Sequence, residues 1–150
     1  VDEFNARALI EATCGDCLDS GHLTPMVHWI LENDSNVWVS AFSTYSDLII
    51  ADIFLQVGAT AYRAALLEQS ELIRADFPDR WMPFYLEGVF HTTLLGSVEG
   101  ILGELPEEGS VLEGVVELGS METTELEGVL FTDWMMGMLN GDAIWQPMVE

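Results

Sequence analysis

The chain holds two cysteines, close together in Cys14-Gly15-Asp16-Cys17, with His22 and His28 following. Sulfur and imidazole are ligand types that zinc favours, and four of them match its tetrahedral demand. The pattern C-x2-C-x4-H-x5-H therefore reads as a zinc candidate on Cys14, Cys17, His22 and His28, although it departs from a zinc knuckle at the final ligand. The competing reading is two small buried cysteines one helical turn apart, with histidines at the surface. No metal or other cofactor is assigned, and zinc is the one these residues admit.

A CxxC pair also raises thiol–disulfide chemistry. That chemistry works best where a helix N-terminus lowers the thiol pKa. Here the apolar spacing of Phe4, Ala8, Leu9 and Ala12 predicts a helix over 2–18. The cysteines then fall in its C-terminal half, where a thiolate is disfavoured. A peroxidase-type motif would want a histidine at position 21, which is Gly21. A disulfide between the two cysteines requires an oxidising compartment.

Other candidates are weaker. Glu68 and Glu71 could flank a cleft, and Asp52 lies beside an apolar stripe, so each is a candidate raised-pKa acid, but a solvated or helix-capping role is the favoured reading for each. His91 stands alone in an ambiguous segment. The chain has no G-x-S-x-G and no phosphate-cradling glycine loop, and without lysine it has no Schiff-base chemistry. No catalytic residue is assigned, and the chain reads as non-enzymatic.

Charge dominates the composition: 26 acids against four arginines, a net charge of −22. Such a chain repels nucleic acid, anionic membranes and itself. At about 1 M salt the Debye length shrinks to about 3 Å and most of that repulsion vanishes. Absence of lysine at every position favours adaptation to a salty interior, as in halophilic archaea and their viruses. Mimicry of nucleic acid, with carboxylates standing for phosphates, is the alternative. No direct contact with nucleic acid or membrane is expected. No apolar run approaches the roughly 18 residues of a membrane span, and the first residues, VDEFNARA, lack a secretory h-region. Cytoplasm or a virus particle is the expected location.

An acidic surface needs uncharged ground on which to associate. Trp134, Met135, Met136 and Met138 crowd one segment, with Trp145 nearby. They predict a contact face for a protein partner or a second copy.

The elements that would position these residues follow from periodicity. HLTPMVHWIL and VWVSAF, separated by ENDSN, read as a hairpin over 23–42. Thr44 and Asp47 resemble a capping pair for a helix carrying Ile50, Ile53, Phe54 and Val57 and ending at Gly58. AYRAALLE reads as a buried strand over 61–68, and 81–105 is ambiguous. Alternation over 111–118 and 124–131 predicts a second hairpin, 111–131, and Asn140-Gly141 predicts a third, 132–146. LEG-type runs recur at Leu86–Phe90, Val98–Leu102, Leu112–Val116 and Leu126–Leu130. Their spacing fits no common repeat period. The expectation is one α+β domain, 1–150, built on a single mainly antiparallel sheet of about five or six strands with two or three helices packed on it.

The leading functional expectation is an acidic, salt-adapted protein working through protein–protein contact or assembly, cellular or viral. A nucleic-acid mimic that blocks a DNA-binding protein is the first alternative, and a small zinc-binding protein the second.

Overall fold

The structure, a computed structural model, describes residues 13–15, 17, 23–47, 49–88 and 123–150. The chain forms two compact units. One comprises Val1–Val39 and Glu68–Trp81, the other Ser40–Leu67 and Met82–Glu150. The fold is α+β, but the sheet is not the expected one. Its three strands run in the order β1 (Val39–Thr44), β2 (Trp81–Leu86), β5 (Met148–Val149). A separate antiparallel pair joins β3 (Glu125–Leu126) to β4 (Val129–Leu130). The α-helices lying wholly within the described residues are α1 (Thr24–Asn33), α2 (Ala59–Asp76) and α3 (Phe131–Asn140).

The larger sheet is parallel. Phe84 faces Met148 and Tyr85 faces Val149 in parallel register. The Val39 N–H donates to Arg80 O and the Tyr45 N–H to Leu86 O, each at 3.0 Å and with the same sequence offset, as parallel neighbours require. Parallel strands need a long crossover, and α2 supplies it between β1 and β2. The six residues of β2, WMPFYL, are all buried, so this strand shows an unbroken apolar run instead of alternation. Within it stands Pro83, which cannot donate to a ladder, so the sequence signal for a strand is weak at the start of the ambiguous stretch 81–105; residues 89–105 lie outside the described residues. The two β2 residues that pair with β5, Phe84 and Tyr85, lie just after Pro83.

The expected single antiparallel sheet fails at each hairpin. Residues 23–42 hold a helix and then a strand. Pro25 sits in the first turn of α1, where its missing N–H costs nothing, so Thr24-Pro25 starts a helix here and not a strand. The stretch read as a strand over 61–68 lies inside the 18-residue α2, whose Ala, Leu, Glu, Gln and Arg are the strongest helix formers. The expected helix after Thr44 is a short π-helical turn, Ile49–Phe54, entered through Asp47, whose Oδ1 accepts the Ile50 N–H at 2.9 Å.

Of the 111–131 hairpin, residues 111–122 lie outside the described residues. The remainder is itself a tight hairpin. Glu127 (φ 52°) and Gly128 (φ 84°) both take left-handed conformations, as a type I′ turn requires, and reverse the chain between Leu126 and Val129. The expected 132–146 hairpin is α3. Phe131, Trp134 and Gly137 recur at helical spacing on its buried side. Asn140-Gly141 ends that helix, with Gly141 at φ 69° in the left-handed C-terminal position.

The second unit carries the main core: Met82, Phe84, Leu86, Leu126, Phe131, Trp134 and Met148. Phe42 and Trp145 pack against it. Rings meet at 4.7 Å (Phe42–Phe131), 5.1 Å (Phe84–Phe131) and 4.3 Å (Trp134–Trp145), distances at which tilted and edge-on aromatic pairs attract. Among the described residues, no helix is long and apolar enough to cross a membrane.

Candidate functional site

The first unit positions the cysteines. Gly15 adopts φ 57°, which only glycine does without penalty, and the Cys17 N–H donates back to Cys14 O at 3.2 Å. This turn brings the two side chains together, and Cys14 and Cys17 form a disulfide with Cα atoms 5.6 Å apart, inside the ordinary range. Both cysteines line a cavity of about 590 Å³. The rest of its wall comes from two helices. α1 provides Thr24, Pro25, His28, Trp29 and Glu32, and α2 provides Gln69, Leu72 and Asp76.

α1 is held at its C-terminal end, where helix carbonyls lack partners. The Asp34 N–H donates to Ile30 O, and the Arg80 guanidinium donates to the carbonyls of Leu31, Asp34 (2.9 Å) and Val37 (3.5 Å). Arg80 also lies 5.1 Å from the Phe77 ring. His28 is fixed from two sides. Its Nδ1 lies 3.5 Å from Asp76 Oδ2, and its ring meets the Phe77 ring edge-on at 5.4 Å. Disulfide, imidazole and two carboxylates (Glu32 and Asp76) thus share one cavity.

Of the four residues proposed for zinc, the structure brings together Cys14, Cys17 and His28 around the cavity, whereas His22 lies outside the described residues. Sulfurs joined to each other do not serve as thiolate ligands. Among the described residues no group of three or more His, Cys, Asp or Glu is placed to hold a metal ion. Asp52 and Glu68 are exposed, and Glu71 is exposed and paired with Arg74 at 3.0 Å. His91 lies outside the described residues.

The second unit presents the residues expected to meet a partner, differently sorted. Trp134 is a core residue, 1 % exposed, its Nε1–H donating to Gln146 O at 2.8 Å. Trp145 and Met135 are partly buried against that core. Met136 and Met138 are exposed, and Leu139, not anticipated from sequence, is 71 % exposed. The signal for Leu139 was its place one turn after Met136, legible only once the segment is read as a helix. Leu72 and Asp76 were missed because the strand read over 61–68 stops short of them, whereas the helix continues to Asp76 and puts the two, four residues apart, on one face.

Two phenols, Tyr45 buried and Tyr62 partly buried, complete the second unit. Burial pushes both Tyr45 and Tyr62 above the ordinary tyrosine range. Arg63, 4.0 Å over the Tyr45 ring, opposes that shift, and Glu87 and Glu150 reinforce it. The Tyr45 hydroxyl donates to Glu150 O at 2.8 Å, and the Tyr62 hydroxyl shares a 2.8 Å bond with Ser43 Oγ.

Comparison with known proteins finds no matching family model, no matching curated relative and no matching solved structure.

Proposed function

We propose that this chain works through protein–protein contact, as an oligomer or a component of a larger assembly, in a salt-rich setting. One observation carries the reading: α3 buries Phe131, Trp134 and Gly137 and leaves Met136, Met138 and Leu139 in solvent. Exposed large apolar side chains grouped on one helix lose favourable burial unless something covers them. In a chain of net charge −22, that uncharged arc is where two acidic molecules can approach closely. Salt makes the approach easier, because at about 1 M the Debye length is about 3 Å. Methionine suits such a face, since its flexible thioether adapts to the surface it meets.

The test is the molar mass of the full chain by light scattering in about 2 M and about 0.1 M KCl, where screening differs several-fold. The expected result is an oligomer at high salt that dissociates at low salt, and a monomer at both for Leu139→Asp. A wild-type monomer at high salt would sink the self-association form of the proposal. Thermal melting in the same two buffers tests the setting. A midpoint well above the low-salt value is expected at high salt, and equal midpoints would remove the salt-adapted reading.

A further inference from the structure

The Cys14–Cys17 disulfide has features that a structural staple lacks. It closes a loop of only two intervening residues, and in the chain-entropy view short loops gain least from cross-linking. It ties no distant segments together. Its two sulfur-bearing residues are buried from bulk solvent, yet they line a cavity of about 590 Å³, within the range that holds small molecules. An imidazole, His28, stands in the same wall.

We infer that the Cys14–Cys17 pair is a thiol–disulfide exchange centre whose partner is a low-molecular-weight thiol, neutral or cationic, that enters the cavity between α1 and the cysteine turn. This rests on the first unit and is independent of the association proposed for α3.

The chemistry balances without a metal or a bound cofactor. The thiolate of one incoming thiol attacks a sulfur of the pair. The Cys–Cys bond breaks, a mixed disulfide forms, and the displaced cysteine leaves as a thiolate that takes up a proton. A second thiol then attacks the mixed disulfide, releases the oxidised small disulfide and frees the second cysteine. Two thiols lose two electrons and two protons, and the protein disulfide gains both. A small disulfide of the same class runs the sequence backwards and restores the pair. Exchange depends on the attacking thiol's being ionised, and His28 is the base in the wall that can accept its proton. The charge of the partner follows from Glu32 and Asp76, which line the same space. With a net charge of −22 around them, they oppose an anionic thiol.

The experiment uses the full native chain, with free cysteines counted by maleimide mass shift and the fold followed by far-ultraviolet circular dichroism. Dithiothreitol is expected to reduce the pair without denaturant and without loss of the dichroism signal. Reduction that needs denaturant, or that unfolds the chain, would overturn the proposal and leave a structural disulfide. In about 0.1 M salt, cysteamine should reduce the pair at least about tenfold faster than the anionic mercaptoethanesulfonate, in line with electrostatic control of access. Glu32→Gln should narrow that ratio, and equal rates for the two thiols in the wild type would refute the assigned charge class. His28→Asn should slow exchange while leaving the reduced fraction at equilibrium unchanged. A shift in that equilibrium with no change in rate would remove His28 from the exchange step.

Discussion

The two units hold their shapes by different means. In the second, aromatic side chains do the work: Phe42, Phe84, Phe131, Trp134 and Trp145 touch one another ring to ring around two short sheets. In the first, the described residues include few fully buried large side chains. Polar ties take their place: Arg80 on the α1 carbonyls, the Trp81 indole N–H on Ser70 Oγ at 2.7 Å, and the cysteine pair. A packed aromatic cluster fills its space, whereas helices held by a few directed bonds can leave a cavity open. The exchange chemistry proposed above, which needs an entering molecule, therefore suits the first unit. The contact face proposed above belongs to the second, whose aromatic core backs the exposed side of α3.

That contrast can be broken by mutation. The largest effect should come from Trp134→Ala, which empties the centre of the aromatic cluster; about 3–5 kcal/mol of unfolding free energy should go, read by denaturant titration. Arg80→Ala should cost less, about 1–3 kcal/mol, through three carbonyls that lose a charged donor. Arg80→Lys should recover only part, because an ammonium lacks the guanidinium's fork. If Arg80→Ala proves the costlier of the two, the division of labour drawn here is wrong.

Gly137→Ala sharpens the picture of the second core. A Cβ there would meet the Ile144 Cγ2 atom, and the Trp145 nitrogen at 3.3 Å. Crowding of about 1–3 kcal/mol is offset by about 1 kcal/mol of helix propensity, leaving a modest net loss. Ile144→Ala in the same chain should turn that loss towards the gain, since it removes the opposing methyl, and the double-mutant cycle measures the coupling.

The smallest effect is pH dependence at the alkaline end. Tyr45 and Tyr62 have folded pKa values raised by burial. Their contribution to stability is complete below the unfolded tyrosine value of about 10 and is lost as pH rises from there through the folded values. A decline in melting temperature confined to that range, reduced by Tyr62→Phe, is the expected result. A flat profile would mean the phenols ionise alike in both states.

The sequence disclosed more of the composition-driven features than of the topology. The cysteine pair, the shared neighbourhood of His28 and the cluster of methionines near Trp134 were all legible from spacing. What failed was the choice between helix and strand in apolar stretches. TPMVHWIL is rich in aromatic and β-branched residues and looks like a strand, but Pro25 is better placed at a helix start. Asn140-Gly141 fits a hairpin turn and a helix C-terminus equally well, because both use left-handed backbone. The pattern of β2 could not alternate, being buried along its whole length. The glycine after glutamate at Glu127-Gly128 proved to be a turn, which no count of its recurrences would have told.

The central strand has a kinetic consequence. β2 takes β1 on one side and β5 on the other, and its register with Met148 and Val149 joins positions far apart along the chain. Closing such long loops comes before any reward from pairing, which places the sheet late in folding and makes it slow. During synthesis, WMPFYL leaves the ribosome well before the residues that will cover its second edge. Until Met148–Val149 arrives, that edge is an open template of apolar side chains and unpaired backbone, the kind of segment on which chains aggregate. The dense negative charge of residues 87–150 then acts on the newborn chain, keeping neighbouring copies apart while the last strand is still being made.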